Sequence, residues 1–126
     1  LFGKGARDIL IGGDGGDYLD GGVYDDLLIS GATSYDGSIS SLCKIQKEWT
    51  RTDKSYSTRV NNLGNGGGYN GTLKLNDSSI TSGDFPPDSL IGGDGQDLFY
   101  ANLTPHGGSI DQIVDKAANE TFVQVS

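Results

Sequence analysis

Methionine is missing from these 126 residues, histidine, tryptophan and cysteine occur once each, and proline three times. The single cysteine, Cys43, excludes an internal disulfide; it does not exclude export, because a bound ion can fasten a small extracellular module instead. Basic residues are scarce: nine Lys and Arg stand against seventeen Asp and Glu, for a net charge of −8. Phosphates would be repelled along most of such a surface, which argues against nucleic acid and against anionic membranes as partners. No run approaches the ~18 apolar residues of a spanning helix, so no membrane insertion is expected. Apolar residues reach only 34%, which leaves material for a thin core. The length suits one domain, 1–126. The first residues already belong to a repeat and carry no leader, which reads as a piece of a longer protein.

Glycine and aspartate are abundant, and they recur with a period of nine. Aligned on the acid, the chain reads GKGARDILI (3–11), GGDGGDYLD (12–20), GGVYDDLLI (21–29), then GDFPPDSLI (83–91) and GGDGQDLFY (92–100), with weaker copies at 106–114 and 115–123. The sixth position holds Asp8, Asp17, Asp26, Asp88, Asp97, Asp111 and Glu120. The eighth holds Leu10, Leu19, Leu28, Leu90, Phe99, Ile113 and Phe122. An apolar residue at every eighth position, in an alignment fixed on the acid, is a coincidence on the order of one in a thousand. Glycine-rich disorder predicts no such phase.

Six residues suffice for a turn and three for a short strand. Alternation along the strand points position eight inward and positions seven and nine outward. Two nonapeptides complete a coil, and successive coils stack their strands in parallel. A core of single hydrophobes is thin, so the turns are expected to contribute. Glycine allows positive φ angles that aim carbonyl oxygens at one point, and aspartate adds an anionic oxygen on a short stem. A hard cation such as calcium takes ~6–8 oxygen ligands of this kind.

GGDGGDYLD and GGDGQDLFY resemble the GGxGxD-x-U-x nonapeptide of the RTX, or haemolysin-type, calcium-binding family. The resemblance covers residues 3–35 and 83–123. It implies a mainly β fold, a right-handed parallel β-roll (a β-solenoid) interrupted by an α-helical hairpin insertion. It also implies several calcium ions held between turns. On the family's pattern, Lys4, Ala6 and Asp8 face Gly21, Val23 and Asp26. Gly13, Gly15 and Asp17 face Ser30 and Ala32, where Tyr35 occupies the expected carboxylate position and Asp36 is the alternative. Gly93, Gly95 and Asp97 face Asp115, Ala117 and Glu120. Gly92 and Asp94 line the other side of their turn, and Asp88 and Asp111 are the remaining acid ligands.

Residues 37–82 break the period between the first repeats (1–36) and the second (83–126). Ile39, Leu42, Ile45 and Trp49 fall at near-helical spacing after Ser38, a helix cap. Tyr56, Val60 and Leu63 do the same, with Asp53 as cap and Gly64 beyond the end. This predicts a helical hairpin that braces the repeats by burying Trp49 and Leu42, with Cys43 as a small core residue. GTLKLND alternates like a strand.

Catalytic patterns are weak. GGGYNG (66–71) carries the letters of a dinucleotide fingerprint but follows a helix and precedes a strand, the reverse of the required order. His106 has no nucleophile-elbow serine to serve and reads as a turn residue. These features predict no enzyme. They predict a calcium-binding structural module of a larger secreted protein, extracellular or on the cell surface, that folds on meeting outside calcium. The alternative is a calcium-braced adhesion module with an extracellular glycan or protein ligand.

Overall fold

The computed structural model describes residues 1–81, 86–104 and 110–126. Along the chain come β1 (Phe2–Lys4), β2 (Ile9–Ile11), β3 (Tyr18–Val23), β4 (Leu27–Ile29) and β5 (Ala32–Thr33). Helices α1 (Ile39–Thr50) and α2 (Tyr56–Asn65) follow, then β6 (Ile80–Thr81), β7 (Ser89–Asp94), β8 (Leu98–Ala101), β9 (Gln112–Ile113) and β10 (Thr121–Gln124). Two separate four-stranded sheets result, in the orders β1-β3-β7-β9 and β10-β8-β4-β2. Every pairing within them is parallel. Ile9 lies opposite Leu27, two nonapeptides on, and Leu27 lies opposite Leu98, across the whole helical segment.

Three layers stack. Between the sheets, Leu10, Leu19, Leu28, Leu90 and Phe99 form one buried cluster, with Ile113 and Phe122 partly buried against it. The other face of the β2-β4-β8-β10 sheet meets the hairpin: Leu27, Ile29, Leu98 and Tyr100 pack with Ile45, Trp49, Leu63, Leu75 and Ile80. Positions seven and nine point away from the inter-sheet core as expected, but on these strands the hairpin covers that outer face. A strand covered on both faces needs a continuous apolar run, which DLLIS and DLFYA supply.

This overturns the expected fold class. The chain is not an open RTX-type β-roll or solenoid with an inserted hairpin; it is a compact body of two discrete parallel sheets packed on each other and on the hairpin. The physical reason is the placement of the larger core. The hairpin cluster contains Trp49 and Tyr100, and full burial of each large apolar side chain is worth roughly 1.5–3 kcal/mol. Stability therefore comes from the sheet–helix layer and not from one row of stacked hydrophobes.

The hairpin also corrects details. Ser38 caps α1, its side chain accepting from the Ser41 amide at 3.3 Å. Ser55, not Asp53, caps α2 through the Thr58 amide at 3.2 Å. Asp53 instead pairs with Arg51 at 2.7 Å. α2 runs through Gly64 and ends at Gly66, whose φ of 82° only glycine adopts easily. GTLKLND is no strand: Leu75 donates to the Leu63 carbonyl and buries its side chain in the hairpin core. The return strand is β6, which pairs antiparallel with β5. Cys43 is exposed, and so is Ile39, because α1 buries only Ile45, Glu48 and Trp49.

Candidate functional site

The sixth-position aspartates form two ladders along the turns. The Asp8 amide donates to Oδ1 of Asp26 at 2.8 Å, and the Asp26 amide donates to Oδ1 of Asp97 at 2.7 Å. On the other side of the body, the Asp17 amide donates to Asp88 at 2.6 Å and the Asp88 amide to Asp111 at 3.1 Å. Each step has a second bond, because the residue after the accepting acid donates back. Leu27 bonds the Asp8 carbonyl, Leu98 that of Asp26, Ser89 that of Asp17, and Gln112 that of Asp88. Asp26, Asp97, Asp88 and Asp111 thus each clasp the backbone of the neighbouring coil at two points.

Local sequence makes the clasp fit. The first residue of the nonapeptide lies over its own aspartate: a Cβ on Gly21 would collide with the Asp26 carboxylate, and one on Gly92 with that of Asp97. The turns use positive φ even where side chains stand, at Lys4 (75°), Ala6 (86°) and Tyr24 (77°). Such angles cost non-glycine residues energy and persist only where surrounding bonds enforce them.

Burial acts on these acids. Oδ2 of Asp8, Asp17, Asp26 and Asp97 is buried without a hydrogen-bond partner. Burial pushes Asp26 up to about 7; the Asp8 amide opposes this, and the charges of Asp8, Asp25 and Asp20 add to it. Burial likewise pushes Asp97 up to about 8, against the Asp26 amide and with the charges of Glu120 and Asp26. Asp8 is raised by burial as well. A carboxyl group removed from water favours its neutral form.

The expected calcium residues fall as follows. Asp8, Asp26 and Asp97 share one ladder, and Asp17, Asp88 and Asp111 the other. Lys4 lies opposite Gly22, one residue past Gly21, and Val23 lies opposite Asp94. Gly13 donates to the Gly31 carbonyl, while Gly92 and Gly93 donate to the Asp115 carboxylate. Gly15 and Gly95 adopt positive φ. Ser30 donates to Tyr100, and Ala32 leaves the repeats to pair with Thr81. Of the proposed partners of Asp17, Ala32 leaves the repeats, whereas the Ser30 carbonyl stays beside it: a Cβ on Gly12 would meet both that carbonyl and the Asp17 carboxylate. Gly83 to Phe85 and His106 lie outside the described residues.

Among the described residues, no group of three or more His, Cys, Asp or Glu side chains is placed to hold a metal ion. The ladder supplies the reason: it sets one carboxylate per coil and gives one oxygen of it to a backbone amide, so the acids are strung out and do not converge. The calcium cofactor, the calcium-binding module and the calcium-braced glycan- or protein-binding alternative are corrected accordingly. No helix among the described residues is long and apolar enough to cross a membrane.

A second polar centre joins the turns to the hairpin, and the sequence reading missed it. Arg59, only 1% exposed, donates to Asp25 at 2.6 Å and to the Trp49 carbonyl at 3.0 Å, and lies over the Trp49 ring. Asp25 also accepts from the Gln96 amide at 2.9 Å, and its carbonyl takes the Trp49 indole N–H at 3.0 Å. The Tyr56 hydroxyl donates to the Asp97 carbonyl at 2.6 Å and accepts from the Thr121 amide at 2.9 Å. Behind them Glu48 accepts from Asn62, from the Tyr69 amide and from Arg51. Burial alone would raise Glu48; these three donors outweigh it and hold the carboxyl below its ordinary value. The GGGYNG loop wraps this acid, since a Cβ on Gly68 would strike it. The doublet Asp25-Asp26 was the available signal, two adjacent acids where the period needs one.

Compared with known proteins, the chain matches no family model, no curated protein and no solved structure. The identification with the RTX family, which rested on the nonapeptide letters, gains no support from these comparisons and is set aside with the fold it implied.

Proposed function

We propose that this chain is a non-catalytic structural domain, working outside the cell, that holds parallel strand–turn units in register through carboxylate-to-amide clasps. The observation that carries the reading is Asp26. Its carboxylate takes one coil's amide at 2.8 Å, and its own amide enters the next coil's carboxylate at 2.7 Å. Two buried polar side chains of the hairpin are engaged inside the molecule: Glu48 receives three donors, and Arg59 bonds Asp25 of the β3–β4 turn. Such an arrangement serves rigidity. Placement outside the cell rests on composition, a glycine- and aspartate-rich chain of net charge −8.

The test is a pair of substitutions. Asp26→Ala removes the acceptor and leaves the Asp8 amide unpaired, which costs roughly 1–3 kcal/mol. Asp26→Asn keeps an acceptor oxygen and should retain most of the stability. Urea denaturation reads the difference, and amide exchange at Asp8 should quicken only in the alanine variant. Equal stability of both variants and wild type would overturn the reading. Fractionation of the producing cells tests location: recovery of the protein from the cell interior alone would refute export.

A further inference from the structure

The stack of three layers ends in two unlike faces. On one side is the outer face of α1, where Lys44, Lys47 and Arg51 recur at steps of three and four along one flank of the helix. Arg51 is met by Glu48 and Asp53, whereas Lys44 and Lys47 are exposed and pair with no acid among the described residues. Tyr69, 45% exposed, has Lys47 at 4.8 Å and Arg51 at 3.9 Å over its ring. On the opposite side, the β1-β3-β7-β9 sheet turns its outer face to solvent. Tyr18 there is 48% exposed and Val114 61%, beside the partly buried Asp20 and Ile91, which lie opposite each other in register. Asp94 is exposed at the rim. Lys4, opposite Gly22, forms no ion pair with Asp20 among the described residues.

We infer that the domain associates with copies of itself head to tail, the Lys44 and Lys47 flank of α1 in one copy seated on the open sheet face around Asp20 in the next. Charge chooses the occupant. Basic residues are concentrated on the helical segment: outside residues 37–82 only Lys4, Arg7 and Lys116 occur, while acids crowd the repeats. The helix face of one copy therefore complements the sheet face of another. Exposed apolar side chains gathered on one face and rimmed by polar ones mark an interaction surface. Within the molecule the β2-β4-β8-β10 sheet already takes a helical layer on its outer face, and the contact gives its sister sheet the same cover. Like faces do not match: sheet on sheet sets Asp20 against Asp20, and helix on helix sets lysine against lysine. Because the two faces lie on opposite sides of the body, the contact does not close on itself, and copies add in a row.

Sedimentation velocity of the full chain is the test, with the exposed Cys43 kept reduced so that disulfides do not mimic the contact. At low ionic strength the mean mass should rise beyond that of a dimer as concentration approaches about 1 mM, the range of a weak association. Sodium chloride at about 1 M, which cuts the reach of charge to ~3 Å, should shift it back toward the monomer. Lys44→Glu combined with Lys47→Glu, or Asp20→Lys alone, should weaken association about tenfold or more, since each sets like charges against each other. Circular dichroism of both variants should match wild type, because none of the three side chains holds an ion pair among the described residues. Mixing the two variants should restore association, as opposite charges then meet at every contact. A monomer at every concentration and salt, or association unmoved by either variant, would overturn the proposal. Growth that stops at a dimer would overturn the head-to-tail arrangement. None of these outcomes touches the clasp reading, which Asp26→Ala tests separately.

Discussion

Asp25 and Asp26 are neighbours in sequence with opposite tasks. Asp26 turns into the ladder, where burial favours its neutral form; Asp25 turns toward the hairpin and meets the buried cation Arg59. Without Arg59, the partly exposed Asp25 would still keep Arg7 at 3.7 Å and the Gln96 amide. Arg59→Met should therefore cost roughly 1–3 kcal/mol in a denaturation experiment, even though methionine fills similar space. Gly92 illustrates a steric constraint. A methyl group there meets the Asp97 carboxylate, so Gly92→Ala should destabilise by roughly 1–3 kcal/mol, the usual cost of overpacking. Gly13, whose added Cβ would find open space, is constrained only by its φ of 89° and should lose less on the same change.

At the scale of elements, the hairpin is the part whose local signals read most directly. Ser38 opens α1, and the apolar spacing of Ile45 and Trp49 gives its buried side. α2 shows the limit of that approach: Asp53 and Ser55 are both acceptable caps, and only the packing of Tyr56 against the sheet end selects Ser55. Ser55→Ala should lower stability by about 1 kcal/mol, while Asp53→Ala should leave the midpoint nearly unmoved. Leu73 and Leu75 alternate as a strand would, yet they pack on the hairpin core, and β5 takes β6 as its partner.

Across the whole molecule, the buried aspartates link stability to protons. Asp26 and Asp97 titrate at about 7 and about 8 in the fold, against an ordinary 3.8. Between those values the folded chain holds protons that the unfolded chain has released, so stability falls as pH rises. This contribution is complete below about pH 4 and gone above about pH 8. Glu48 and Asp77 are shifted the other way, Asp77 by hydrogen bonds from Ser126, and what they contribute disappears as pH falls through their lowered values. The urea midpoint should thus peak in mild acid and be lower at pH 8.5 than at pH 5.5. Replacing both Asp26 and Asp97 with asparagine should flatten the alkaline side of that profile. A midpoint that climbs steadily from pH 5.5 to pH 8.5 would contradict the burial assigned to these two acids.

The sequence by itself determined the local unit: a glycine turn, a sixth-position acid and an inward eighth residue, because backbone angles and strand alternation act within nine residues. It also placed the hairpin between the two repeat blocks. Tertiary structure alone decided which surfaces became core and what the acids bind. Leu27 and Tyr100 are buried only because α1 and α2 fold over them, and Arg59 finds Asp25 thirty-four residues away. The spacing of aspartates reveals that their carboxylates recur at equal intervals. Whether those oxygens converge on one point or each grasp the next coil's backbone depends on the stacking of coils, and stacking is a long-range property that no period of nine records.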